Sequence, residues 1–115
     1  MKKLLILTKM LIIFSFANAQ KFGTYSGKIG VNKLATITTR IESQNNVITG
    51  DYSYGNFYGK FINAVLIGNK LSCDWVESAT SKGRFEAIFN KDFSEFIGIW
   101  YYGDNKYGGA WTGKK

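Results

Sequence analysis

The carboxylates of this chain are the side chains that could carry out acid–base chemistry, because the sequence contains no histidine and a single cysteine. Two carboxylates held a few ångströms apart can cleave a glycosidic bond. Asp51 and Asp74 are the candidate pair for such a reaction. Without histidine, however, the chain lacks the usual general base and the usual activator of a nucleophile. We therefore predict that the protein is not an enzyme.

A metal site is not indicated either, because no cluster of cysteine and carboxylate residues has the spacing of metal ligands. We expect no metal and no other cofactor. Cys73 is the one cysteine, so no intrachain disulfide can brace the fold. We predict that this residue is a small buried filler, since a buried free cysteine usually behaves as a small hydrophobe.

Aromatic rings are the side chains that could hold a ligand, and they make up 17% of the sequence. Rings beside glycine turns can stack on a sugar or pack against an apolar molecule. The alternative is that such rings only seal one end of the fold. The candidate ligand-binding residues are Phe57, Tyr58, Tyr101, Tyr102 and Tyr107.

Short strands must position these side chains, because apolar and polar residues alternate with a period of two between turn-rich breaks. The sequence has no proline, so every strand can donate its backbone hydrogen bonds. Short links favour antiparallel neighbours. The predicted strands are residues 22–28, 33–41, 47–54, 57–67, 70–77, 83–89, 95–102 and 109–114.

A glycine two residues before a ring recurs along these strands, as in Gly50-Asp51-Tyr52 and Gly98-Ile99-Trp100. Residues i and i+2 of a strand share one face, so each copy places a gap beside a ring. Inward glycines let a sheet coil sharply enough to close. The sequence thus predicts an all-β fold, a small up-and-down antiparallel meander barrel of about eight short strands with a largely filled interior.

The period of two also assigns faces. Asp51 and Asp74 fall on the water-facing side of their strands, where a hydrated surface charge is the simpler explanation for both. The strand over residues 95–102 differs, because its outer face is apolar as well. Ile97, Ile99 and Tyr101 on that face are the candidate surface for a protein partner.

Residues 1–19 have the order of a secretory signal peptide, with lysines, a short apolar stretch and a small-residue cleavage site ending at Ala19. We expect cleavage before Gln20 and export to the periplasm or the extracellular space. Residues 20–115 would form a single β-barrel domain. The apolar stretch is shorter than the roughly 20 residues of a membrane-spanning helix, so we expect no membrane span after cleavage.

The net charge points to no particular partner. The formal charge of +7 would fall to +4, because three lysines leave with the signal peptide. Such mild basicity gives only loose attraction to anionic surfaces. The remaining lysines are spread among acids and form no stripe, and the protein is expected to be exported. We therefore expect no nucleic acid partner.

The repeated glycine–ring units carry a resemblance to a known kind of domain. Gly50-Asp51-Tyr52, Gly59-Lys60-Phe61 and Gly83-Arg84-Phe85 resemble the Gly-Thr-Tyr or Gly-Thr-Trp units of small bacterial secreted or envelope β-domains of uncharacterised function. The meander is also distantly similar to avidin and lipocalin barrels, although it is shorter. The chain departs from the repeat at Cys73, which takes the place of a glycine. The resemblance implies a fold and no catalytic or binding residues.

We therefore predict a non-enzymatic secreted or periplasmic domain that binds a small apolar or carbohydrate ligand. The alternative is a protein-interaction or inhibitor module. It would use the exposed apolar strand face at Ile97, Ile99 and Tyr101.

Overall fold

The computed structural model describes residues 21–30 and 33–115. The predicted signal peptide, residues 1–19, lies outside the described part of the chain. No helix among the described residues is long and apolar enough to cross a membrane.

Eight antiparallel strands form one closed barrel, in which each strand pairs with the next along the chain and the last pairs with the first. The predicted all-β up-and-down meander barrel is therefore confirmed. The strands are β1 (Thr24–Gly30), β2 (Ala35–Gln44), β3 (Val47–Tyr54), β4 (Phe57–Ile67), β5 (Lys70–Val76), β6 (Lys82–Phe89), β7 (Glu95–Tyr102) and β8 (Tyr107–Lys114).

Turn chemistry sets where the strands end. Asn45 and Asn46 both have positive φ, 54° and 65°, which a tight two-residue hairpin turn requires and which asparagine tolerates. Gly55 and Gly68 adopt φ of 55° and 63° at the two following hairpins. Because these residues favour the turn locally, the predicted bounds of β3 and β4 match the observed ones, and those of β7 match as well. At the first two strands the prediction begins two residues too early.

Rings of neighbouring strands fill the spaces that inward glycines leave. A Cβ built on Gly98 would lie 2.7 Å from the Phe85 ring, and one on Gly50 would lie 2.8 Å from the Phe61 ring. Cys73 occupies an equivalent inward position and is 4% exposed, as expected for a buried filler. Burial raises the pKa of its thiol to about 12, so the residue is a neutral thiol at physiological pH.

Aromatic rings close one end of the barrel, which we call the closed end. It holds the turns after β2, β4 and β6. Phe22 packs edge-on against Phe89 and Phe93, with ring centroids 5.5 and 5.4 Å away. The Tyr25 hydroxyl donates a buried hydrogen bond of 2.7 Å to the Phe93 carbonyl. These contacts fix the loop after β6 across the end of the barrel.

Candidate functional site

The opposite end, which we call the open end, holds a cavity of about 300 Å³. It lies where β1, β3, β5 and β7 finish, because antiparallel strands send every odd-numbered strand to the same end. We call it the open-end cavity. Its aromatic lining consists of Tyr52, Tyr54, Trp75, Trp100, Tyr102 and Trp111.

These rings point into the barrel because they lie on the inward face of their strands, which alternate residues share. Trp75 and Trp100 come from β5 and β7, and their ring centroids are 5.9 Å apart in an edge-to-face arrangement. Tyr102 lies two residues beyond Trp100 on the same face and packs edge-on against it at 4.9 Å. On the other side, Tyr52 and Tyr54 of β3 are stacked at 6.2 Å. The walls therefore combine ring faces and ring edges.

Trp111 forms the floor of the open-end cavity. Its ring lies 4.8 Å from that of Tyr52 and 4.4 Å from that of Phe85, centroid to centroid. Its indole nitrogen donates to the buried Thr39 hydroxyl at 3.0 Å. Below this floor, rings fill the interior as predicted. At the open end the described residues leave a cavity, because none of their loops carries a ring across it in the way that Phe93 crosses the closed end.

Glu77 is the carboxylate of the cavity wall, and two tyrosine hydroxyls hold it in place. Tyr52 donates to its Oε2 at 2.8 Å and Tyr54 donates to the same atom at 3.1 Å. Burial foremost, and then the bond to Glu77, raises the pKa of Tyr52 far above its usual value. Burial and the charge of Glu77 raise the pKa of Tyr54 to about 12. Both hydroxyls thus stay protonated donors at neutral pH.

The three indole nitrogens of the lining differ in their partners. Trp111 bonds Thr39, and Trp75 donates to the backbone carbonyl of Tyr101 at 3.0 Å. The Trp100 nitrogen is buried and has no hydrogen-bond partner among the described residues. An unsatisfied buried donor costs about 1 to 3 kcal/mol, so this nitrogen reduces the stability of the wall.

The five candidate ligand-binding residues do not come together. Tyr102 lines the open-end cavity. Phe57 is not part of the lining; it is 60% exposed and stacks on Tyr54, which does line the cavity, at 5.4 Å. Tyr58 is 75% exposed on the outer surface, and Tyr107 pairs with Tyr101 across β7 and β8.

Sequence reasoning missed Tyr52, Tyr54, Trp75, Glu77 and Trp100 as a group. The signal was present in the predicted topology. Inward residues near the carboxyl ends of alternate strands in a meander must all face the same end of the barrel.

A larger depression, of about 560 Å³, lies on the outer surface over β2, β3 and β4. Arg40 and Asp51 occupy it and bond each other through two nitrogen–oxygen pairs, at 2.9 and 2.6 Å. Asp51 thus belongs to a hydrated ion pair, and Asp74 accepts from Asn63 at 2.9 Å. The two aspartates considered as a carboxylate pair therefore bond different partners on the outer face.

The candidate partner face is apolar and exposed. Ile97 and Ile99 on the outside of β7 are 74% and 38% exposed. Ile88, 58% exposed, is the direct partner of Ile97 across β6 and β7 and extends the patch. Tyr101 is half-buried beside them.

Neither a metal cluster among the described residues nor a similar protein indicates what this protein does. Within residues 21–30 and 33–115, no three cysteine, aspartate or glutamate side chains gather as metal ligands would. No protein-family model, no curated protein and no solved structure matches the chain. The geometry of the open-end cavity is therefore what carries the argument about function.

Proposed function

We propose that the protein is a non-enzymatic, exported binding domain that holds a small ligand with an apolar face in the open-end cavity. One observation carries the proposal: within residues 21–30 and 33–115, rings seal one end of the barrel and leave a ring-lined cavity at the other. A cavity of about 300 Å³ with walls of tyrosine and tryptophan is at the lower limit of the usual size of small-molecule sites. An apolar molecule or the apolar face of a sugar would fit such walls.

Native mass spectrometry of the protein purified from its host tests this proposal. We expect a retained small molecule. Ala35 lines the cavity, so Ala35→Trp should fill it and abolish retention. Ala110→Trp is the matched control, because Ala110 is exposed between two buried residues of β8 and points away from the interior. Retention by the Ala35 variant, or a bare wild-type protein that also binds nothing from a ligand screen, would contradict the proposal.

Export is the second part of the proposal, and it rests on the order of residues 1–19. We expect the protein recovered from its host to begin at Gln20. Amino-terminal sequencing of the mature protein and its presence outside the cytoplasm would support export. A retained Met1 in the purified protein would contradict it.

The second candidate function is a protein-interaction module acting through the apolar patch of Ile88, Ile97, Ile99 and Tyr101. The cross-strand pair of Ile88 and Ile97 favours it, since both side chains are more than half exposed. Changing Ile97 and Ile99 to threonine should abolish partner capture in a pull-down while keeping the fold. The Ala35→Trp variant should capture normally, and unchanged capture by the threonine variant would reject this face.

A further inference from the structure

We propose that the open-end cavity selects a cation, namely an ammonium group carried on a small apolar body. This inference rests on the proposed function, because it names the ligand class of the same cavity. Its basis is a half-buried carboxylate, Glu77, set among aromatic rings.

Glu77 forms no ion pair with any lysine or arginine of the described residues. Among the described residues, the ion pairs use Asp51, Glu86 and Glu95, all on the outer face. Glu77 instead accepts from two neutral hydroxyls, those of Tyr52 and Tyr54. These donors orient the carboxylate and leave its negative charge in place.

A ligand that closes the cavity would remove water from this carboxylate. Burying an unpaired charge is costly, and a neutral ligand would leave that cost uncompensated. An ammonium group would supply the missing opposite charge. The cavity therefore distinguishes between a cation and a neutral molecule of the same shape.

The rings strengthen the same preference. The face of an aromatic ring carries partial negative charge, and tryptophan attracts a cation most strongly. Trp75, Trp100, Tyr54 and Tyr102 all line the cavity that Glu77 borders. An ammonium group with methyl or methylene substituents would meet both the carboxylate and the ring faces.

Lys33 is the residue that could oppose this selection, because it also lines the cavity. It forms no ion pair with Glu77 among the residues described. Its charge would repel a cationic ligand and attract an anionic one. Removing it therefore separates the two ligand charges experimentally.

The test compares choline with 3,3-dimethyl-1-butanol, its neutral isostere, by tryptophan fluorescence titration of the mature protein. We expect choline to bind about tenfold more tightly than the alcohol. Glu77→Gln should remove that difference by weakening choline and leaving the alcohol unchanged. Lys33→Gln should bind choline as tightly as wild type or more tightly.

Two variants serve as controls. Glu95→Gln removes a carboxylate at the closed end, where Glu95 pairs with Lys114, and should bind choline like wild type. Tyr54→Phe removes one orienting hydroxyl and should weaken choline less than Glu77→Gln does. It also tests the idea should Glu77→Gln fail to fold.

Three results would overturn the inference: equal affinity for the two probes, no choline binding, or tighter binding of 3,3-dimethylbutanoate that is lost in Lys33→Gln. Ala35→Trp separates this failure from failure of the proposed function. If both probes bind equally and the Ala35 variant loses both, the cavity binds ligands without selecting charge. If the Ala35 variant loses neither, the cavity itself is not the site.

Discussion

At the residue scale, the position of Glu77 depends on a glycine that does not touch it. The Tyr52 hydroxyl that donates to Glu77 lies so close to Gly59, on the neighbouring strand β4, that a Cβ there would clash with it. The pairing of Tyr52 with Gly59 is direct across β3 and β4. The absence of a side chain at Gly59 on β4 therefore leaves room for the Tyr52 hydroxyl, and that hydroxyl orients the Glu77 carboxylate just after β5.

We expect Gly59→Ala to destabilise the barrel by about 1 to 3 kcal/mol, because overpacking a tight interior forces shifts. The new Cβ would overlap the Tyr52 hydroxyl and lie 2.8 Å from the Val76 carbonyl oxygen. Urea denaturation followed by tryptophan fluorescence measures the loss. Gly23→Ala is the control, since the described atom nearest to its Cβ would belong to the movable side chain of Lys115, at 3.1 Å. Equal stability of the two variants would contradict this account.

At the element scale, one weak junction of the barrel is between β3 and β4 near the closed end. Their register runs from the pair Tyr54 and Phe57 to the pair Gly50 and Phe61, and stops there. Beyond that point β4 pairs with β5 alone, with an irregularity between Ile62 and Val65. A depression of about 480 Å³ lies at this gap. The closed barrel thus has a seam with few backbone hydrogen bonds at this point, between β3 and β4.

Hydrogen exchange should reveal this seam. We expect amides in residues 63–67 that face β3 to exchange faster than amides in residues 84–88 of β6. The reason is that β6 is paired on both sides along its length, and unpaired backbone groups open at low free energy. Residue-resolved exchange measured by NMR checks the order within one sample. Equal protection of the two segments would show that the seam is closed in solution.

At the scale of the whole molecule, stability comes from buried rings, since the single cysteine forms no disulfide. The same burial makes ionisation of the core costly. Burial raises the pKa of Tyr25, Tyr54 and Cys73, each to about 12. The usual values are 10.0 for tyrosine and 9.0 for the thiol.

We expect the free energy of unfolding to fall as pH rises above about 9. Above that pH the unfolded chain loses protons that the folded protein keeps, so stability present at neutral pH is lost progressively until about pH 12. Urea denaturation at a series of pH values measures the slope. Cys73→Ala removes one buried ionisable group, so it should reduce the slope of the free energy of unfolding against pH. This holds whatever the stability of the variant at pH 8. An identical slope in the variant would show that the thiol does not contribute.

The sequence by itself determined the strands, because their signals are local. Alternation with a period of two places Leu71, Cys73 and Trp75 on one face, and all three are buried. Asparagine or glycine with positive φ defines the hairpins after β2, β3 and β4, at Asn45, Gly55 and Gly68. The glycine–ring spacing also predicted the closure of the barrel, since each gap admits a neighbouring ring.

The tertiary structure alone decided which end is open and what lines it. Phe93 crosses the closed end because the Tyr25 hydroxyl, 68 residues away in sequence, holds its carbonyl. Glu77 meets Tyr52 and Tyr54 from 25 and 23 residues away. Such contacts depend on how strand pairing and twist bring distant strand ends together when the sheet closes. The spacing of residues along the chain contains no information about twist or about which strand ends meet. The sequence therefore pointed to the rings near the turns as the site, whereas the inward residues at the strand ends form the cavity.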